Sequence, residues 1–325
     1  MRLLENDIKS GVYGLAIGDA IGVPVEFTSR GARDKDPVLG MMGYGTHNQP
    51  IGTWSDDTSL VLATLDALCA GGVSLGRVMD CFVKWYKKGE YTAGGTVFDI
   101  GGTTHRAIRN FIAGELPENC GGSAIYDNGN GSLMRMLPVA YYVYCKYGVK
   151  ISPQAVDCIY AFSGITHAHI LSKMCCVFYV YLAMYIMLEK DQRELQTIIK
   201  EAIWAVEEYY TDWEESNLFL ICQSAKVKSS LLECLKFGRE GISSTGYVVD
   251  TLVASIWSLY NTASYEEAVL KAVNLGEDTD TIGAITGSLA GLYYGLDNIP
   301  KCWVTHLQNK KLINSICDRF YEQYK

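Results

Sequence analysis

Two short runs of carboxylates and hydroxyls, far apart in the chain, hold the groups best suited to chemistry. One is Ser55, Asp56, Asp57 and Thr58; the other is Glu277, Asp278, Thr279, Asp280 and Thr281. Each follows a turn that contains glycine (Gly52 and Gly276) and each opens an apolar helical stretch. Taken singly, either run is first a set of helix caps, because Asp, Ser and Thr at a helix start satisfy exposed N–H groups and suit the positive end of the dipole. Taken together, they look like two halves of one oxygen-only site. Hard divalent cations want that lining, and Mg²⁺ in particular is held by carboxylates while keeping waters that substrate can displace.

Four other segments carry candidate chemistry. Glu26 follows Pro24 at the end of the first apolar stretch, where a solvated carboxylate is the plain expectation. Asp99 stands between Phe98 and the Gly101-Gly102 pair, just before a helix, either as a helix-start acid or facing a cationic substrate group. Asn128, Gly129, Asn130 and Gly131 form a loop that leads through Ser132 and Met134 to Arg135. Such a loop can offer N–H groups to a phosphate, or be a plain turn; it lacks the GxxxxGK[ST] pattern of an ATPase loop. Thr166-His167-Ala168-His169 holds two of the five histidines. Their i, i+2 spacing puts them on different helical faces, so one histidine bonded to a ligand or to backbone fits better than a two-histidine metal site.

The elements that must position these groups are helical. Apolar-periodic stretches recur at roughly 7–22, 57–70, 74–87, 102–113, 132–146, 153–163, 168–188, 192–209, 215–227, 229–236, 247–259, 264–274, 281–294 and 308–323, separated by Gly, Asn or Pro turns. Strand patterns are scarce, and no long polar linker or fixed-period repeat interrupts the series. The expected fold is all-α, one compact helix bundle over residues 1–325. Gly14, Gly18 and Gly22 share one helical face, as do Gly283, Gly287 and Gly291. Glycine at four-residue spacing lets another backbone come close, which predicts tight packing at the bundle centre.

Bulk properties set outer bounds. The chain has 325 residues, 49% hydrophobic and 20% charged, with a net charge of −8. That charge argues against a nucleic-acid-coating role, which wants a basic stripe. The 11 cysteines include no CxxC pair; Cys69, Cys81, Cys175, Cys176 and Cys222 sit in apolar helical settings, where free thiols behave as small hydrophobes. A reducing, cytoplasmic setting is expected rather than a disulfide framework. The apolar run from Met174 to Met187 is short for a membrane span and reads as a buried helix.

Several motifs, in order, resemble the ADP-ribosylglycohydrolase family, which includes the dinitrogenase-reductase-activating glycohydrolases and the ADP-ribosylarginine hydrolases. They run from Gly14 through Asp19 to Glu26 and Phe27, then Gly52 to Thr58, Phe98 to Gly101, Asn128 to Arg135, Thr166-His167, Gly246 to Val248, and Asn274 to Ala284. The resemblance implies an orthogonal helix bundle with two Mg²⁺ (or Mn²⁺) ions at the base of a cleft. It implies Ser55, Asp56, Asp57, Asp278, Asp280 and Thr281 as metal ligands and Glu26 as a further acid near them. Ser55 departs from the threonine often found there, yet keeps the hydroxyl. The implied reaction is hydrolysis of the bond between C1″ of ADP-ribose and an acceptor side chain, on an ADP-ribosylated protein, releasing ADP-ribose. In it Asp99 would face the scissile linkage, where its charge suits an arginine guanidinium. The segment Asn128, Gly129, Asn130, Gly131, Ser132, Met134 and Arg135 would cradle the pyrophosphate and neighbouring ribose, with His167 and Tyr247 lining the cleft. A different ADP-ribose linkage (serine-linked, acetylated or nucleic-acid-linked) and a non-catalytic ADP-ribose binder both stay open, as do ring opening and direct water attack.

Overall fold

The computed structural model describes residues 3–210 and 230–325. The expected helix at 215–227, the first residue of the one at 229–236, and Cys222 lie outside them.

Among the described residues the regular structure is helical, with three isolated β-bridges and no strand. In chain order the helices are α1 (Glu5–Gly22), α2 (Arg30–Lys35), α3 (Asp56–Cys69), α4 (Leu75–Lys88), α5 (Gly102–Ile112), α6 (Leu137–Tyr147), α7 (Pro153–Gly164) and α8 (Ile170–Glu189). They continue with α9 (Leu195–Tyr210), α10 (Leu231–Cys234), α11 (Val248–Tyr260), α12 (Tyr265–Val273), α13 (Thr279–Tyr294), α14 (Lys301–His306) and α15 (Lys310–Tyr324). The short helices α2 and α14 have too few residues for a periodic pattern. The stretch expected as one helix over 132–146 is a 3₁₀ turn, Leu133–Arg135, followed by α6. Pro138, at the start of α6, has no N–H and is tolerated only in a first turn, so the helix begins there.

Helices α1 and α13 form the central pair, and the two glycine stripes face one another. A Cβ on Gly14 would lie 2.3 Å from the Gly287 carbonyl oxygen, and one on Gly18 would lie 2.0 Å from that of Gly283. Only bare backbone fits at that separation. Tyr265 locks the pair from α12, its hydroxyl donating to the Gly14 carbonyl at 2.7 Å. Both helices are buried nearly all round, so their N-terminal and C-terminal ends, rather than a polar face, are what they can offer to solvent or ligand.

Helix α8 is long and apolar enough by composition to cross a membrane, but 83% of its most apolar window is buried inside the molecule. It packs against α6, α7, α9, α11 and α13 as a core helix. The ten described cysteines are all free thiols.

Candidate active site

The close α1–α13 packing brings the end of α1, the start of α13 and the start of α3 to one place. Thr279 fastens the first two, its hydroxyl donating to the Gly22 carbonyl at 2.8 Å. Asp19 fastens α1 to α3. Its Oδ1 accepts from the Ser55 N–H at 2.9 Å, and its Oδ2 accepts from the Thr58 N–H at 3.0 Å and the Thr58 hydroxyl at 2.6 Å. It caps α3 from another helix, alongside the N-cap Ser55, whose hydroxyl accepts from the Asp57 N–H at 3.3 Å.

The two acidic runs therefore meet. Asp57 Oδ2 accepts from the Ser55 hydroxyl at 3.0 Å and from the Thr281 hydroxyl at 3.3 Å, joining both runs at one oxygen. Carboxylate oxygens of Asp19, Asp57 and Asp280 lie within 4.8 Å of one another, and so do those of Glu26, Asp278 and Asp280. Asp56 is buried beside them, close enough to Asp99, Asp19 and Glu26 to feel their charge, and is hydrogen-bonded to the Gly101 backbone. All six groups expected as metal ligands share one buried site.

That site is electrostatically incomplete on its own. Burial pushes Asp56, Asp57 and Asp280 well above the usual carboxylate range, and the negative neighbours push them further. Asp278 is raised chiefly by burial, partly offset by hydrogen bonds from Asn130 and others. Glu26 is pushed up to about 10 by burial first and then by the charges of Asp99, Asp278 and Asp57. Two buried carboxylate oxygens, Oδ1 of Asp57 and Oδ2 of Asp280, have no hydrogen-bond partner. A buried acceptor without a donor is costly, and divalent cations set among these oxygens would satisfy the orphans and the like-charge repulsion together. The residues present fit such ions.

Glu26 is 4% exposed rather than solvated, which corrects the plain expectation for it. Its carboxyl meets Asp99 and the Nε2 of His47. His47 comes from the 3₁₀ turn Gly45–His47, tied back by the Thr46 hydroxyl donating to the Glu26 carbonyl at 2.8 Å. Asp99 precedes α5 as expected, but its backbone is left-handed (φ 53°) and it is not the cap; Gly101 is. It is only half-buried.

The loop at 128–131 lies against the residues leading into α11. The Asn130 N–H donates to the Gly246 carbonyl at 3.1 Å, the Val248 N–H donates to Asn128, and Gly129 bridges to Tyr247. The Asn130 side chain donates to Asp278 at 2.7 Å, so this loop touches the acidic cluster. His167 sits beneath it, 2% exposed, with its ring so close to Gly131 that a Cβ there would fall 2.9 Å from Cε1. Burial, with help from the nearby Arg135 charge, lowers the His167 pKa to about 3 and keeps the ring neutral.

Three members of this segment do something other than expected. The Arg135 guanidinium is fully buried over the Phe82 ring and donates to the Phe162 carbonyl at 2.9 Å and the Thr166 hydroxyl at 2.8 Å. The Ser132 hydroxyl is also fully buried, accepting from Ser163 at 3.0 Å beside Cys176. Met134 packs into the core. All three side chains anchor the loop from below. Asn128 is likewise engaged, donating to Ile125 and His169 and accepting from Ser172.

Asp19 and His169 had no role assigned from the sequence, and His47 was not singled out there at all. Asp19 lies next to the glycine stripe of α1 but turns to α3, and its spacing alone gives no sign of that. His169 holds Asn128 and caps α8, a role its place just before an apolar run suggests. Nothing in the loop around His47 marked it.

The family model for ADP-ribosylglycohydrolase matches residues 2–325. An ADP-ribosylarginine hydrolase, Tri1 of Serratia proteamaculans, is 30% identical over 320 residues, covering 96% of this chain and 78% of that protein. The ADP-ribosyl-[dinitrogen reductase] glycohydrolase of Rhodospirillum rubrum is 28% identical over 303 residues, covering 91% of this chain and 88% of its own. A solved structure described as an ADP-ribosylglycohydrolase-related protein complex superposes with a TM-score of 0.75 at 28% identity, over 99% of each chain. A chain matched end to end by the family model, with this fold and an acidic site at its centre, belongs to the ADP-ribosylglycohydrolase family of enzymes.

Proposed function

We propose that this enzyme is a dimetal-dependent hydrolase that removes ADP-ribose from arginine side chains of ADP-ribosylated proteins. The observation that carries the reading is the convergence of the two helix starts on one buried acidic site with two orphaned carboxylate oxygens. The named relatives support the arginine linkage, since Tri1 is an ADP-ribosylarginine hydrolase. The free cysteines support a reducing, cytoplasmic setting.

Ser55, Asp56, Asp57, Asp278, Asp280 and Thr281 would hold two Mg²⁺ or Mn²⁺ ions. Such ions, when bound, supply Lewis-acid polarisation and fixed positive charge for sugar hydroxyls and a water. The rest of the work falls to the protein's own groups. Asp19 fixes the first turn of α3 so that Asp56 and Asp57 are held in place without reorganisation. Asn130 and the Gly129–Tyr247 bridge hold the 128–131 loop beside Asp278, where it would line the pyrophosphate side of the cleft. His167, kept neutral by burial, supports that loop without adding charge. Asp99, a half-buried acid, would accept N–H groups of the leaving guanidinium, with Glu26 hydrogen-bonded to it and fixing its orientation.

A panel of substrates tests the proposal: arginine-linked, serine-linked and nucleic-acid-linked ADP-ribose together with O-acetyl-ADP-ribose, each with Mg²⁺ or with EDTA, reading free ADP-ribose. Release from the arginine linkage that depends on the metal is expected. Preferential release from another linkage would overturn the substrate, and binding of ADP-ribose with no release from any would overturn the activity.

A further inference from the structure

Beside Glu26 and Asp99 stand three rings that the proposed metal site does not use. Phe27 follows Glu26, with its backbone left-handed (φ 61°) and pinned by its N–H to the Glu277 carbonyl at 2.7 Å, while its ring is 66% exposed. The Phe27 ring centroid lies 6.0 Å from that of His47, and the His47 ring lies 5.2 Å from that of Phe98. Phe98 adjoins Asp99 in the chain, and His47 is bonded to Glu26, so the rings border the same two carboxyls. Left-handed backbone recurs around this rim at Phe27, Tyr44, Asn48, Asp99 and Glu277. A bulky residue held in that region is a sign of constraint from the surroundings. Here the constraint keeps an apolar ring in the open beside a carboxylate.

We propose that Phe27, His47 and Phe98 form the acceptor subsite, which takes the guanidinium of the ADP-ribosylated arginine against its rings while Asp99 accepts the N–H edge. The inference rests on the arginine-hydrolase reading and names the residues that select its leaving group. A guanidinium is planar, permanently charged and weakly hydrated, so it gains from a π face and a carboxylate edge at once. A serine hydroxyl lacks the charge and a lysine ammonium lacks the plane. An inorganic cation could draw on Glu26, Asp99 and the His47 nitrogen, but it would leave both phenyl rings idle. The rim therefore reads the leaving group and not the ADP-ribose.

The test compares wild type, Phe27→Tyr, Phe27→Leu and Phe27→Ala in the metal-loaded enzyme, by kcat/KM on an ADP-ribosyl-arginine peptide and by Kd for ADP-ribose. Phe27 is exposed, and each variant's melting temperature checks its fold. Leu and Ala should lower kcat/KM about tenfold, within the range of a cation–π contact, and Tyr should keep it. ADP-ribose, which lacks the guanidinium, should bind all four within about twofold. If Leu matches wild type, or if ADP-ribose affinity falls together with turnover, the acceptor subsite is wrong while the arginine reading stands. If wild type itself releases no ADP-ribose from arginine, both fall together.

Discussion

Oδ1 of Asp57 and Oδ2 of Asp280 are buried acceptors without donors, and they sit where charges of one sign are gathered. A cation that binds only the folded state adds RT ln(1 + [L]/Kd) to stability, about 2.7 kcal/mol at a hundredfold excess over Kd. Asp280→Ala should therefore erase most of the melting shift that Mg²⁺ produces in wild type, as read by differential scanning calorimetry; an undiminished shift would move the ions elsewhere. Asp99 is expected to act on the leaving group and not on the metal. Asp99→Asn keeps the shape and removes the charge, so kcat on ADP-ribosyl-arginine should drop sharply. Affinities for Mg²⁺ and ADP-ribose should change by less than about tenfold, or 1.4 kcal/mol. Retained turnover would make Asp99 an ordinary helix-start acid. At this scale the acids were legible because two runs of alternating carboxylates and hydroxyls, each an ordinary set of helix caps alone, together make an oxygen-only lining. Asp19 and His47 were not, since each acts through a partner distant in the chain: Asp19 through Ser55 and Thr58, His47 through Glu26. The place of the Arg135 side chain was hidden for the converse reason. An arginine after a glycine loop looks like a phosphate ligand, and only packing reveals that it lies over Phe82 inside the core.

Among the helices, the crossing of α1 and α13 sets the geometry of the site. Gly18→Ala would drive a Cβ to 2.0 Å from the Gly283 carbonyl oxygen, which is backbone and cannot swing away. Urea unfolding should show a loss of about 3 kcal/mol, the upper part of the usual range for overpacking, and metal affinity should fall because α1 carries Asp19 and leads to Glu26. Gly31→Ala in α2, where no atom lies within 4 Å of the new Cβ, should be neutral or gain about 0.5 kcal/mol from helix propensity. Equal effects at the two sites would mean that the α1–α13 contact is looser than described. The glycine spacing made this contact legible in advance, because a four-residue repeat of the smallest residue has a plain packing consequence. The helix boundary at Pro138 and the short helices α2 and α14 were less so. Apolar periodicity runs on through a 3₁₀ turn into α6 without a break, and six residues are too few to show a period.

For the whole molecule, pH should move the stability of the metal-free fold and the increment from added metal in opposite directions. In the unfolded chain Glu26 and Asp19 titrate near pH 4, while in the fold burial and neighbouring acids raise Glu26 to about 10, and burial raises Asp19 to about 7. The metal-free fold therefore holds more protons than the unfolded chain between those limits. This contribution is full below about pH 4 and is lost as pH rises through 7 and towards 10. The melting temperature of EDTA-treated protein should fall between about pH 5.5 and 8.5. The increment from Mg²⁺ should grow over the same interval, because the ligands must be deprotonated to bind it. A metal-free profile that rises with pH would contradict the reading of a bare acidic site. The most direct test of the two-ion hydrolase is a back-titration: strip the enzyme of metal, then follow ADP-ribose release from ADP-ribosyl-arginine while Mn²⁺ or Mg²⁺ is returned and bound metal is counted. No turnover in the stripped enzyme and full recovery as two equivalents bind are expected; undiminished turnover in the metal-free protein would rule out a two-ion hydrolase.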